Sequence, residues 1–377
     1  MNLKILIIFL ILYISFLVKG FSERILIYIC GFMTAVVLLN WHKERRKGLK
    51  AIFLSVLIGY ALIFGMLYTL RYRPNLQEPI VKSTKEATAV VLLIEEEPEV
   101  FYLPIAINNA FDELKAYNSP LIPFKLLRSK INYERLSNKA SSPAASVLQQ
   151  YRSLLGEGYS LYIAYTKKPP FFMEGVFAAI SDGNQKIIVA PALITENHLY
   201  EALKEDLKVI NSGKYQIITK DISTMWNSDA IALLYVSKIN QATDKAKQQK
   251  VGIVFLKGDR SEEEGLVAAL QQEILFSDKI KSLLIEEGYL NYLIHEVAFN
   301  SKSISRSIDS LMEYGVTDIL LVNVGSLYQS INQKLELERV VKRIDEPKIR
   351  IKTIDINAYD TEVIYEIVKR INLLNIK

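Results

Sequence analysis

The chain has 377 residues, of which 50% are apolar and 23% are charged, and its formal net charge is +5. This composition excludes a disordered protein, because there is enough apolar surface for one large core or two moderate ones. The single cysteine excludes a disulfide framework and a cysteine-rich zinc site. Basic residues alternate with acidic ones along the chain, which argues against nucleic acid as a partner.

The N-terminal region, residues 1–72, contains three apolar runs at 3–18, 25–41 and 51–70. Each approaches the roughly 17–25 residues that a helix needs to cross hydrocarbon. A cleaved signal peptide is the alternative for the first run, although no small-residue cleavage site follows it. The three runs predict transmembrane helices in contact with membrane lipid.

The densest basic segment of this region, residues 42–50, lies between the second and third runs. Short basic loops stay in the cytoplasm, so the rest of the chain is expected on the extracytoplasmic side. The basic residues that follow the third run weigh against this orientation. We therefore expect a multi-pass protein of the cell membrane whose sidedness needs a direct test.

After a proline-containing linker at 73–86, short β-rich runs alternate with helical ones. The predicted strands are 87–94, 159–165, 186–190, 215–219, 251–256, 292–298, 318–322 and 349–354. The predicted helices are 143–155, 171–181, 197–210, 230–242, 262–287, 304–314, 327–341 and 360–373. Such alternation, with strands rich in Val, Ile and Leu, predicts an α/β fold with parallel sheets.

The order of strands and helices also repeats. The stretch from residue 185 to 223 has the same plan as the stretch from 317 to 357. This repeat predicts two Rossmann-like halves, at 87–245 and 246–377. Ligands of such folds bind beyond the carboxyl ends of the strands, and a cleft between the halves is the expected site.

Several junctions between these elements resemble the ferrochelatase family, whose members insert iron into a porphyrin. The resemblance lies in the Ser-Pro segment at 141–155, the strand, proline turn and helix at 162–193, Trp226, and the strand and helix at 316–333. It covers nearly the whole chain after residue 86 and is carried by the order of the segments. It implies two chelatase-like halves around a tetrapyrrole cleft, with haem, a porphyrin or a divalent metal as the bound group.

The resemblance fails at the residues that would carry the chemistry. Lys257 stands where the family has its histidine base, and Asn332 stands where it has a glutamate. A protonated amine cannot accept a proton or bind a metal, and an amide cannot relay protons. We therefore expect no confident catalytic residue, although Lys257 and Asn332 remain candidates for binding a tetrapyrrole.

Glu95, Glu96 and Glu97 follow the first strand of the first half, in the place of a turn that faces the family's cleft. Three carboxylates at a strand end are suited to a divalent cation. The alternative is a solvated acidic loop. The sequence therefore names these glutamates as metal-binding candidates.

Further binding candidates lie at other strand ends. Tyr165 offers an aromatic face to a macrocycle, and His198 is either a ligand or a residue at the surface of a helix start. His295 with Glu296 is a candidate pair for a tetrapyrrole or a metal, because a carboxylate can orient an imidazole.

Three functions remain open at this stage. The first is a binding protein that holds, senses or transfers a tetrapyrrole or a metal without catalysis. The second is an active chelatase with a rearranged site. The third is a module that docks other membrane proteins.

Overall fold

A computed structural model of the chain describes residues 48–74, 85–113, 121–136, 144–210, 212–243, 250–258, 267–344 and 348–376, with isolated positions before 48 and between 76 and 80. The strands in these ranges are β1 Lys85–Ile94, β2 Tyr159–Tyr165, β3 Asn184–Pro191, β4 Ile218–Asp221, β5 Val251–Lys257, β6 Ile294–Ala298, β7 Asp318–Asn323 and β8 Arg350–Ile354. The helices are α1 Gly48–Thr69, α2 Leu103–Glu113, α3 Ile122–Leu136, α4 Ala144–Leu155, α5 Phe172–Ser181, α6 His198–Val209, α7 Ser212–Tyr215, α8 Asp229–Ala242, α9 Val267–Glu286, α10 Ser301–Glu313, α11 Ile331–Arg343 and α12 Thr361–Ile376.

The chain divides into two compact units. One, called here the N-terminal unit, combines Met1–Arg73 with Pro98–Ala140. The other, called the sheet unit, combines Pro74–Glu97 with Ser141–Lys377. All eight described strands belong to the sheet unit, and α1, α2 and α3 belong to the N-terminal unit.

The N-terminal unit corrects the prediction of a membrane protein. Most of 3–18 and nearly all of 25–41 lie outside the described residues, and 51–70 falls in α1 except for its last residue; Ile63 and Leu67 of α1 are fully buried. These side chains pack against apolar residues of α2 and α3. Within the described ranges, no helix combines the length and the apolar character needed to span a bilayer. The prediction that 51–70 forms a transmembrane helix of a multi-pass protein of the cell membrane is therefore wrong.

The sheet unit contains two four-stranded parallel sheets with the same plan. The first has the order β2-β1-β3-β4 and the second the order β6-β5-β7-β8. The repeated strand order confirms the prediction of an α/β fold with parallel sheets. In each sheet the second strand of the chain order lies on one side of the first strand, and the third lies on the other side. The carboxyl ends of β1 and β5 therefore mark the two switch points.

The strands are apolar throughout because both faces of each sheet are covered by helices. In β1, Val91 and Leu93 pack outward against α5, whereas Val90 and Leu92 belong to a central core. The central core also contains Phe255 of β5 and buried residues of α4, α8, α9 and α12. Helices therefore fill the space between the two sheets, while α10 and α11 cover the outer face of the second sheet.

Strand β4 begins later than predicted. Gln216 has a φ of 55°, which places it in the left-handed region, and α7 immediately precedes it. This turn delays the extended backbone until Ile218. The apolar pattern at 215–219 predicted the strand but not the local break.

Candidate functional site

The carboxyl end of β1 places three glutamates in series at the first switch point. Glu95, Glu96 and Glu97 directly follow Ile94, and their side chains are only 13%, 13% and 11% exposed. Carboxylates with so little solvent require charged or hydrogen-bonding partners. The structure supplies partners from both sheets.

The first partners come from the neighbouring strand. Lys167 Nζ lies 3.4 Å from Glu95 Oε1 and 3.9 Å from Glu97 Oε1, and Lys168 Nζ lies 3.1 Å from Glu96 Oε2. Because β2 pairs with β1 in parallel, the residues that follow the two strands meet at one edge. The glutamates are therefore in ion pairs within the first sheet.

The remaining partners come from the second sheet. Ser326 Oγ donates to Glu95 Oε2 at 2.9 Å, and the Tyr359 hydroxyl donates to Glu96 Oε2. Burial and the Glu96 carboxylate both raise the pKa of Tyr359, which keeps this donor protonated. The three glutamates are thus held between the strand ends of both sheets.

Glu97 makes two further contacts with the segment that leads into α11. Its Oε2 accepts a hydrogen bond from the Ile331 amide at 3.1 Å, and its own amide donates to the Tyr328 hydroxyl at 3.2 Å. Ile331 is the first residue of α11. A carboxylate at a helix N-terminus is stabilised by the unpaired amides and the helix dipole.

Lys257, at the position of the expected base, is the last residue of β5 and forms an ion pair with Glu296 of β6. Ser277 Oγ of α9 donates to the same carboxylate at 3.3 Å. Both charged side chains are partly buried. The Lys257 side chain is therefore engaged in an ion pair and is not arranged as a free base.

The second switch point is occupied by a carboxylate of the protein itself. Glu273 of α9 is 1% exposed, and its Oε1 accepts a hydrogen bond from the Gly258 amide at 2.8 Å. A Cβ added to Gly325 would lie 2.6 Å from this oxygen and 2.9 Å from the Gly258 nitrogen. Only glycine at position 325 permits this close approach of the two strand ends.

The predicted pair of His295 and Glu296 does not assemble. Successive strand residues face opposite sides of a sheet. His295 Nδ1 lies 2.8 Å from Ser307 Oγ of α10, whereas Glu296 pairs with Lys257. The carboxylate therefore orients the lysine, and the serine orients the imidazole.

The other candidates lie at the starts of two helices and at the end of one strand. His198 is exposed as the first residue of α6, and Asn197 is the capping residue there. Asn332 is exposed on the first turn of α11. Tyr165 ends β2, with Lys168 Nζ 4.2 Å from the centre of its ring. Tyr165 therefore lies beside one of the two lysines that pair with Glu95–Glu97.

Lys167, Lys168, Ser326, Tyr328 and Tyr359 were missed by sequence reasoning. The two lysines carried a usable signal, because two cations follow β2 where three carboxylates follow the adjacent β1. The serine and the tyrosines lie more than 230 residues away in sequence, and no local pattern pointed to them.

The described residues contain no group of three His, Cys, Asp or Glu side chains arranged to hold a metal ion. One cavity of about 110 Å³ lies at the opposite, amino-terminal edge of the second sheet, beside Val251, Asp318 and Arg350. It is smaller than the roughly 300–1,000 Å³ of typical ligand pockets. The carboxyl edges of the strands therefore remain the candidate site.

No family model and no curated protein matches this sequence. Similar solved structures include the sirohydrochlorin chelatase SirB from Bacillus subtilis subspecies spizizenii with cobalt, at 12% identity and TM-score 0.42, covering 76% of this chain and 94% of the other. They also include SirB from Bacillus subtilis with Fe3+, at 14% identity and TM-score 0.44, with the same coverage.

A third similar structure is a multi-domain protein of Deinococcus radiodurans, described as structurally similar to chelatases and as having two additional novel domains. It shares 10% identity at TM-score 0.44, and the match covers 76% of this chain and 54% of the other. This chain thus spans about half of the Deinococcus protein. The narrower resemblance to ferrochelatases stays a proposal.

Proposed function

We propose that this protein binds a tetrapyrrole, or the metal ion that a tetrapyrrole carries, at the carboxyl edges of its sheets without inserting metal. The single observation that carries the proposal is the Lys257–Glu296 ion pair at the end of β5. The order of ferrochelatase-like segments in the sequence, together with the repeated pair of parallel sheets, supports the choice of ligand.

Metal insertion requires a neutral base that removes the pyrrole protons as the metal enters. The amine of Lys257 is held by the Glu296 carboxylate, so it is not placed as such a base. His295 is engaged with Ser307 on the other face of β6. These contacts support binding without proton transfer.

The test uses the full chain. It is titrated with protoporphyrin and with haem while the Soret absorbance is followed, and ferrous iron is then added to the porphyrin complex without oxygen. We expect a saturable Soret shift and no metalloporphyrin formation above that of a protein-free sample. A Lys257→Met variant, from which the amine is removed, is measured in parallel.

The outcomes separate the three functions. Metalloporphyrin formation that depends on His295 or Lys257 would support an active chelatase and overturn the proposal. A Soret spectrum unchanged by the protein would overturn tetrapyrrole binding, and co-purification with another protein would then favour a docking module. A titration with ferrous iron alone, in which the heat of binding is measured by calorimetry, tests the metal part of the proposal.

A further inference from the structure

The segment Glu95–Glu97, called here the acidic latch, joins the first sheet to the second. Each of its carboxylates contacts a lysine that follows β2, and each also accepts a hydrogen bond from a residue that follows β7 or β8. Separation of the two strand edges therefore requires all three glutamates to change partners.

The charges of this group do not cancel. Three glutamates face two lysines, Lys167 and Lys168, which leaves a formal charge of −1. An incoming carboxylate is therefore repelled while the latch is closed. If the glutamates are displaced, the same lysines present a charge of +2 at a poorly solvated edge, where charge-assisted hydrogen bonds are strong.

We propose that the acidic latch is an internal competitor for a carboxylate-bearing ligand, and that Lys167 and Lys168 bind the ligand's carboxylates once the latch is displaced. This inference rests on the proposed function and names residues of the same site. The Tyr165 ring, which already lies against Lys168, provides an aromatic surface beside these cations. The ligand class is a porphyrin whose side chains carry carboxylates.

The experiment compares uroporphyrin, coproporphyrin and protoporphyrin, which carry successively fewer carboxylates. Dissociation constants are measured with the full chain by Soret titration. A Lys167→Gln/Lys168→Gln variant is expected to weaken uroporphyrin binding about tenfold or more, and protoporphyrin binding less. A Glu96→Gln/Glu97→Gln variant is expected to strengthen uroporphyrin binding by a similar factor.

The matched control neutralises an ion pair outside the site. Lys208 and Glu205 form an exposed pair on α6, and Lys208→Gln/Glu205→Gln changes the same types of charge. It is expected to leave all three dissociation constants unchanged. Circular dichroism of every variant verifies that the sheets are folded.

A second measurement covers the case in which the glutamate variant does not fold. Tyr359→Phe retains every charge and removes the hydrogen bond from the second sheet to Glu96. We expect faster hydrogen exchange of the Ile331 amide and tighter uroporphyrin binding.

The inference is overturned if porphyrins bind but the lysine substitutions reduce all three affinities equally or not at all, and the proposed function then stands. It is also overturned if Tyr359→Phe leaves both exchange and affinity unchanged. If neither the wild type nor any variant binds a porphyrin, the inference and the tetrapyrrole part of the proposed function both fail.

Discussion

Lys257 and Glu296 form an ion pair between adjacent strands, although Glu296 is aligned with Phe255 rather than with Lys257. Phe255 and Lys257 lie on the same face of β5, so Glu296 reaches the lysine diagonally across the sheet. This contact satisfies the charge that stands in place of the expected histidine. The ion pair therefore stabilises the second sheet at the end of β5.

Removal of either charge should destabilise the protein. Because the pair is partly buried, Lys257→Met leaves Glu296 with an uncompensated charge, and we expect the free energy of unfolding to fall by about 1–3 kcal/mol. The double variant Lys257→Met/Glu296→Leu should recover part of this loss. Urea unfolding of the single and double variants measures both values.

The exposed pair of Lys208 and Glu205 provides the reference for this experiment. Substitution of Lys208 by Met should lower the free energy of unfolding much less than substitution of Lys257, since exposed ion pairs contribute little. Equal losses at Lys257 and Lys208 would contradict a stabilising role for the pair at the end of β5.

Gly325 should not tolerate a side chain. In Gly325→Ala the new Cβ meets Glu273 Oε1 at 2.6 Å and the Gly258 backbone at 2.9 Å, so the two strand ends must move apart. We expect a loss of about 1–3 kcal/mol in the free energy of unfolding. Gly158→Ala is the control, because its Cβ meets nothing within 4 Å. Similar unfolding midpoints for both variants would show that the approach at Gly325 is not tight.

Arg370 should anchor α12 to the first half of the sheet unit. Its guanidinium donates to the Ser223 and Thr224 carbonyls at 3.1 Å and 2.7 Å and to Asn227 Oδ1 at 2.9 Å, and its side chain is 13% exposed. In Arg370→Ala these acceptors lose a charged donor, and we expect a loss of about 2–4 kcal/mol. Hydrogen exchange at 223–227 should increase.

The adjacent Lys369 is the matched control for Arg370. Its side chain is 68% exposed and lies 3.9 Å from Glu366 Oε2. Lys369→Ala should change the unfolding free energy by less than about 0.5 kcal/mol and leave exchange at 223–227 unaltered. A larger loss from Lys369→Ala than from Arg370→Ala would refute the anchoring role.

The strand plan was predictable from sequence because β1, β5 and β7 are short apolar runs buried on both faces. Helices α2 and α3 were not predicted. Their buried residues, such as Ile107 and Ile122, pack against Ile63 and Leu67 of α1 rather than against the strands that flank them in sequence. The apolar residues of α2 and α3 were visible in the sequence, but the sequence did not show that they pack against α1.

The site was less predictable than the fold because its partners come from both sheets. The three glutamates were visible as an acidic run, and the metal-binding interpretation ignored the lysines that parallel pairing of β1 and β2 brings beside them. The contacts from Tyr328 and Tyr359 depend on how the two sheets are packed. A sequence window contains no information about that packing.

Tyr162 provides a test of pH dependence outside the candidate site. Its hydroxyl donates to Asp182 Oδ2 at 2.7 Å and accepts from Asn184 Nδ2 at 3.0 Å. Burial, followed by the hydrogen bond to Asp182, raises the pKa of Tyr162 from 10.0 to about 12. The folded state therefore favours the neutral phenol.

The sign of the pH effect follows from this shift. Stability contributed by the neutral phenol is fully present below pH 10.0, the ordinary value, and is lost as the pH rises through about 12. The difference in urea midpoint between wild type and Tyr162→Phe should be largest at neutral pH and should shrink over this interval. A difference that stays constant or grows with pH would show that the folded protein does not favour the protonated hydroxyl.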